Sequence, residues 1–163
     1  LSLSLQIGSE LVMQLENTNL GTQPLTLSQA LHTYFAVSHI DHIHIDPLQN
    51  VRYIDTLRDW QIFSDSDTLR ITQETDRIYL DPPPTLTIDD SGWQRRIHLH
   101  CSHSRSAVVW NPWIEKAKRL SHFAEDAYKR MLCIETARVM DDCLALAPGQ
   151  TDTMTVRIWD SRL

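Results

Sequence analysis

Histidine is the first residue type in this chain that invites a chemical reading: there are eight, and six fall in two clusters. His39, His42 and His44, with Asp41 and Asp46, make up the run SHIDHIHID (38–46), and His98, His100 and His103 surround Cys101 in HLHCSHS (98–104). Imidazole, thiolate and carboxylate are the usual ligands of zinc and related ions, so both runs raise a metal centre. Strand geometry argues against it. Alternate residues of an extended strand point to opposite faces, so His39 opposes His42 and His44, while His98 and His100 share one face and Cys101 and His103 the other. No further ligand signal completes either set, and the expectation is solvated strand residues with no metal.

Three isolated residues offer acid–base chemistry instead. His32 precedes Thr33-Tyr34-Phe35 at the start of a β-rich run and follows a loop containing Pro24 and Ser28, where a strand end can present an imidazole to a cleft. Glu135 sits in the mostly apolar segment MLCIETA (131–137), and burial there raises a carboxyl toward the range useful to a general base. Asp76 lies in ETDRIY (74–79). Each has a structural alternative: a packed or surface imidazole, a Glu135–Arg138 salt bridge, an Asp76–Arg77 pair. His32 and Glu135 are 103 residues apart, so only the fold can make them a pair.

The elements that must position them read mainly as β. Alternating or β-rich stretches recur at residues 1–7, 10–16, 35–45, 68–73, 76–80, 85–89, 95–101, 106–110 and 153–159. Turn formers punctuate them at Asn17-Thr18-Asn19-Leu20-Gly21, Ser64-Asp65-Ser66-Asp67 and Asp89-Asp90-Ser91-Gly92. Asp81-Pro82-Pro83-Pro84 reads as a rigid hairpin connection. One short helix is expected around 114–130, where Ile114, Ala117, Leu120, Phe123, Ala127 and Met131 recur at helical spacing. Ser121-His122 and the β-like MLCIE mark where it can break early. Short strands between turn signals predict a sandwich or barrel.

Composition narrows the partners. The chain has 163 residues, 42% hydrophobic and 22% charged, enough for one core. Fifteen Lys and Arg against 21 Asp and Glu leave a net charge of −6, which argues against nucleic acid or an anionic membrane as partner. No apolar run is long enough to cross a bilayer as a helix. Three cysteines without C-x-x-C spacing, Cys101, Cys133 and Cys143, predict a reducing, cytoplasmic setting rather than a disulfide framework.

LHTYFAV (31–37), YID (53–55), ETDRIY (74–79), SAVVWNPWIEKA (106–117) and MLCIE (131–135), followed by Ala147-Pro148-Gly149, occur in the order and spacing of the glucose-6-phosphate 1-epimerases. The chain resembles these hexose-6-phosphate mutarotases, a branch of the aldose 1-epimerase superfamily, over residues 5–159. The resemblance implies a galactose mutarotase-like β-supersandwich, of which residues 1–163 form the C-terminal portion and the N-terminal portion is absent. It makes His32 the general acid, Glu135 the general base and Asp76 a sugar contact. The implied partner is a small-molecule sugar phosphate, interconverted between α and β anomers by ring opening and closure, with no metal or organic cofactor. An aldose 1-epimerase acting on free sugars and a non-catalytic carbohydrate-binding module are the alternatives. Trp110 and Trp113 are read as sugar-stacking or core residues, and Tyr34, Phe35 and Tyr79 as core. Without the other half of the fold, an incomplete site and an exposed sheet edge are expected.

Overall fold

The computed structural model describes residues 1–163. In chain order the elements are β1 (Ser2–Ile7), β2 (Leu11–Thr18), β3 (Leu25–Leu27), β4 (Gln29–Ala36), β5 (Ile43–Asp46), β6 (Arg52–Asp55), β7 (Gln61–Ser64) and β8 (Thr75–Leu80). There follow β9 (Thr85–Asp90), β10 (Arg95–Ser102), β11 (Ser106–Asn111), α1 (Trp113–Ala117), β12 (Met131–Arg138), β13 (Leu144–Leu146) and β14 (Thr151–Arg162). One six-stranded sheet has the order β1-β2-β14-β10-β9-β5, a second has β4-β12-β11-β8-β6-β7, and β3 pairs with β13 in a short ribbon.

The alternation in the sequence becomes the pleat of these strands. The first sheet sends Ile43, Ile45, Leu86, Ile88, Ile97 and Leu99 inward, and the second sends Phe35, Tyr53, Tyr79, Ala107, Val109, Leu132 and Ile134 to meet them in one core. Residues of the other parity in the second sheet therefore face away from that core. That outward face carries the candidate site.

The inner face of the first sheet continues beyond the core. Leu99 pairs across to Ile158, Ile158 to Leu11 and Leu11 to Ile7, and the next rows run Val156–Met13–Leu5 and Met154–Leu15–Leu3. Directly paired residues share a face, so this apolar band is one surface. At its far edge Leu3, Leu5 and Ile7 are 52%, 58% and 83% exposed. β1 is an edge strand whose apolar residues are exposed.

Four expectations about elements need correction. Residues 35–45 are not one strand: β4 ends at Ala36 in the second sheet and β5 begins at Ile43 in the first. Between them the Ser38 N–H donates to Asp90 Oδ2 at 2.9 Å, and Ile40–His42 form a 3-10 turn that buries Ile40 in the core. A strand cannot change sheets without such a break. Residues 68–73 lie in a loop whose only ladder contact is a bridge from Leu69 to Ile45. The prolines after Asp81 do not close a hairpin, because β8 and β9 belong to different sheets; they carry the chain across the sandwich. The helix is confined to Trp113–Ala117, with a 3-10 turn at Ala127–Arg130. His122, with φ of 60°, interrupts the helical pattern between them.

Candidate active site

The outward face of the second sheet is built from four neighbouring strands. His32 and Tyr34 project from β4, Cys133 and Glu135 from β12, Val108 and Trp110 from β11, and Asp76 and Ile78 from β8. The registers fix their neighbours: Glu135 lies between His32 and Val108, and Val108 pairs with Ile78. One row along, Cys133 lies between Tyr34 and Trp110, and Trp110 pairs with Asp76. A cavity of about 600 Å³ covers this patch. Thr56, Leu57 and Trp60 wall it from the connection between β6 and β7, and Lys116 from α1. Its size and its mixture of apolar walls with a few convergent polar groups suit a small molecule.

His32 Nδ1 and Glu135 Oε1 approach to 2.9 Å. The pairing follows from directly opposed positions on antiparallel neighbours. The histidine is open to solvent, 62% exposed, whereas the glutamate is 11% exposed. Burial pushes the Glu135 carboxyl above the ordinary glutamate range, with Asp76 adding to the rise and His32 opposing it. The Cys133 thiol, 3.8 Å from Glu135 Oε1, is pushed up to about 12 by burial and by the neighbouring carboxylate. It stays protonated and offers Glu135 a weak S–H donor. Burial also raises Asp76, against the pull of Thr56 and Lys116.

Aromatic surface completes the floor. Tyr34 and Trp110 meet edge to face with centroids 6.1 Å apart, and Tyr34 is largely exposed. Such rings give a flat apolar surface for the C–H face of a sugar. Carboxylate, imidazole and aromatic side chains together supply proton transfer and stacking.

A family model described as aldose 1-epimerase matches residues 1–159. The chain belongs to the aldose 1-epimerase family. A protein of Cenchrus ciliaris named "Putative glucose-6-phosphate 1-epimerase" is 34% identical over 141 residues, 86% of this chain and 43% of its own length. A protein of the same name from Escherichia coli K12 is 32% identical over 111 residues, 68% of this chain and 37% of that protein. The crystal structure of a "putative mutarotase (YeaD)" from Salmonella typhimurium superposes with a TM-score of 0.88 at 23% identity, covering 99% of this chain and 53% of the other. The fold is thus the mutarotase sandwich, and the chain spans about half the length of these relatives.

All three residues singled out as site candidates, His32, Glu135 and Asp76, line this cavity. The structural partners named for Glu135 and Asp76 are engaged elsewhere: Arg138 pairs with Asp152 at 2.9 Å, and Arg77 bonds Asp65 at 3.0 Å on the opposite face from Asp76, whereas His32 is a surface imidazole, 62% exposed. His32 lies within β4 rather than at a strand end. Trp110 lines the cavity, whereas Trp113 packs against Tyr128 and the core. Tyr34, expected in the core, lines the cavity, while Phe35 and Tyr79 are buried as expected. Parity with His32 two residues earlier is the signal that identifies Tyr34. Lys116, Thr56, Leu57 and Trp60 carry no such signal, because loops and a short helix bring them in. The two histidine runs lie away from the cavity. His42 stands in the 3-10 turn, its ring centroid 5.5 Å from that of His39, so it does not share a strand face with His44. His44 Nε2 lies 3.3 Å from Asp89 Oδ2, His98 stacks on Trp159, and His100 bonds Thr85.

Proposed function

We propose that this chain carries the acid–base centre of a mutarotase that interconverts the α and β anomers of a hexose 6-phosphate. Glu135 is the general base, His32 the general acid, and Asp76 accepts hydrogen bonds from sugar hydroxyls. The reading is supported above all by the His32–Glu135 approach at 2.9 Å on the floor of the cavity. In a pyranose the reacting oxygens O1 and O5 are both bonded to C1, so the group that takes a proton from one and the group that gives a proton to the other must sit side by side. Adjacent strands provide that spacing.

The steps balance with these two residues alone. Ionised Glu135 removes the O1–H proton as protonated His32 delivers one to O5; the C1–O5 bond breaks and O1 becomes the aldehyde oxygen. Rotation about C1–C2 presents the other face of the carbonyl. Neutral His32 then takes the proton from the O5 hydroxyl as O5 attacks C1, and protonated Glu135 returns a proton to O1. Each residue ends as it began. No electrons leave the substrate, so the chemistry requires neither metal nor organic cofactor. Burial of Glu135 suits it to this exchange, because a carboxylate of raised basicity takes a hydroxyl proton more readily.

The 6-phosphate is supported by the names of the relatives that this chain resembles in sequence. The test is anomer exchange in glucose 6-phosphate, followed by NMR magnetisation transfer on the natural full-length protein. Glu135→Gln and His32→Asn each lower the rate by about 10²- to 10⁴-fold, the usual contribution of a positioned acid or base. Exchange that persists in both variants at the original rate overturns the assignment.

A further inference from the structure

The hairpin that joins β6 to β7 carries backbone strain where it meets the cavity. Asp55 and Gln61 are the last residues paired across it, and two consecutive turns close the loop between them. The Arg58 N–H donates to the Asp55 carbonyl at 3.2 Å, and the Gln61 N–H donates to the Arg58 carbonyl at 3.1 Å. In the second turn both central residues are left-handed, Asp59 with φ of 53° and Trp60 with φ of 57°. Positive φ at both positions is the requirement of a type I′ turn, whose favoured sequences are Asn-Gly and Asp-Gly. Asp59 meets that preference. Trp60 stands where glycine fits best, and a bulky residue in this region is strained because its Cβ crowds the following carbonyl oxygen.

Packing gives no structural reason for the tryptophan. Trp60 is 58% exposed and Leu57 46% exposed, and both line the cavity rather than the core. Other groups anchor the loop. The Thr56 N–H and hydroxyl both donate to the Asp76 carbonyl, at 3.1 and 3.2 Å. The Leu57 N–H donates to the buried Asp55 carboxylate at 3.0 Å, and the Arg58 guanidinium lies 3.7 Å from the centroid of the Phe63 ring. None of these contacts uses the Trp60 side chain.

Strain kept at an exposed residue that lines a cavity points to a ligand. The Thr56–Asp76 bonds tie the loop to the strand that carries Asp76, so an indole and a carboxylate border the same space. A sugar uses both: its hydroxyls bond a carboxylate, and its C–H face packs on an aromatic ring. Tyr34 and Trp110 line the cavity from the sheet, and Trp60 lines it from the loop.

We infer that Trp60 is a substrate-binding residue whose indole packs against the sugar in the cavity, and that the chain keeps its left-handed backbone for that contact although it lowers stability. The inference rests on the acid–base reading of the site, and its test separates the two. In the natural full-length protein, anomer exchange on glucose 6-phosphate and urea unfolding are measured for the parent, Trp60→Gly and Trp60→Phe. Trp60→Gly removes the ring and relieves the backbone. Its KM rises about 10-fold while kcat stays within about 2-fold, because His32 and Glu135 are untouched. Its urea midpoint stays level or rises by up to about 0.5 M. Trp60→Phe keeps a ring and the strain, so it recovers most of the KM and unfolds with the parent. A KM that moves less than about 3-fold in Trp60→Gly, an equal loss in Trp60→Phe, or a midpoint in Trp60→Gly below the parent's overturns the inference. If the parent exchanges no anomers, the acid–base reading falls by itself. Calorimetric titration of the same three proteins with glucose 6-phosphate then decides Trp60: weaker binding in Trp60→Gly sustains it, and equal binding, or none in the parent, overturns it.

Discussion

Replacing Asn111 by alanine is the substitution whose effect the structure specifies most closely. The side chain is fully buried and makes three hydrogen bonds to main-chain groups: one from the Trp113 N–H and two to the carbonyls of Tyr128 and Met131. Alanine supplies none of these and leaves three backbone groups to find other partners. At about 1 kcal/mol net for each bond lost, and more where a buried group stays unpaired, the cost is about 3–5 kcal/mol. Against a total stability on the order of 5–15 kcal/mol, that is a large fraction. Equilibrium urea unfolding of the natural full-length protein reads it directly: with a slope of about 2 kcal/mol/M, the midpoint falls by roughly 2 M. A midpoint shift below about 0.5 M, near 1 kcal/mol at that slope, refutes the view that Asn111 pins the β11–β12 excursion.

Four further outcomes follow from other parts of the chain. Burial raises the folded-state carboxyl of Glu135 above its unfolded value, so the base is ionised only at higher pH than an ordinary glutamate. The acid limb of the kcat/KM profile therefore lies above pH 4.5 and disappears in Glu135→Gln; a limb at the ordinary glutamate value removes burial as the tuning force. The same sign makes ionised Glu135 a destabilising group: stability falls as pH rises from the unfolded through the folded value, and Glu135→Gln is more heat-stable than the parent near pH 7. A melting temperature below the parent's contradicts this. A Cβ at Gly92 would stand 2.7 Å from Ser38 Cβ and 3.1 Å from His42 Nδ1, so Gly92→Ala costs about 1–3 kcal/mol, measured by chemical denaturation, and a neutral result shows that the β9–β10 turn yields freely. The exposed edge strand β1 makes the 163-residue chain on its own associate with concentration, and Leu3→Lys with Leu5→Lys restores the monomer in light scattering; unaltered association places the contact elsewhere.

Much of the fold was legible from local pattern. β2, β8, β9, β10, β11 and β14 fall where alternation and turn formers predict them, because a half-buried strand imprints a period of two on its sequence. The failures come where tertiary contacts outvote local preference. Residues 35–45 have strand-forming composition throughout, but Ile40 finds the core and Ser38 finds Asp90, so the chain bends from one sheet to the other. Residues 114–131 have helical spacing, but the Asn111 amide gathers Tyr128 and Met131 toward β11, which a continuous helix over that span would prevent.

The site divides the same way. By itself the sequence determined which residue types were present to move protons, and its motifs singled out His32, Glu135 and Asp76 as candidates. It also determined the faces within each strand, since parity puts Tyr34 with His32 and Cys133 with Glu135. Only the tertiary structure decided that β4 and β12 are neighbours in a register that sets His32 opposite Glu135, and that α1 brings Lys116 over Trp110. The physical reason is that alternation specifies which side of a sheet a residue faces and nothing about which strand lies beside it. Strand neighbours are chosen by how the whole set of apolar faces closes over one core, and that choice joins residues 103 positions apart.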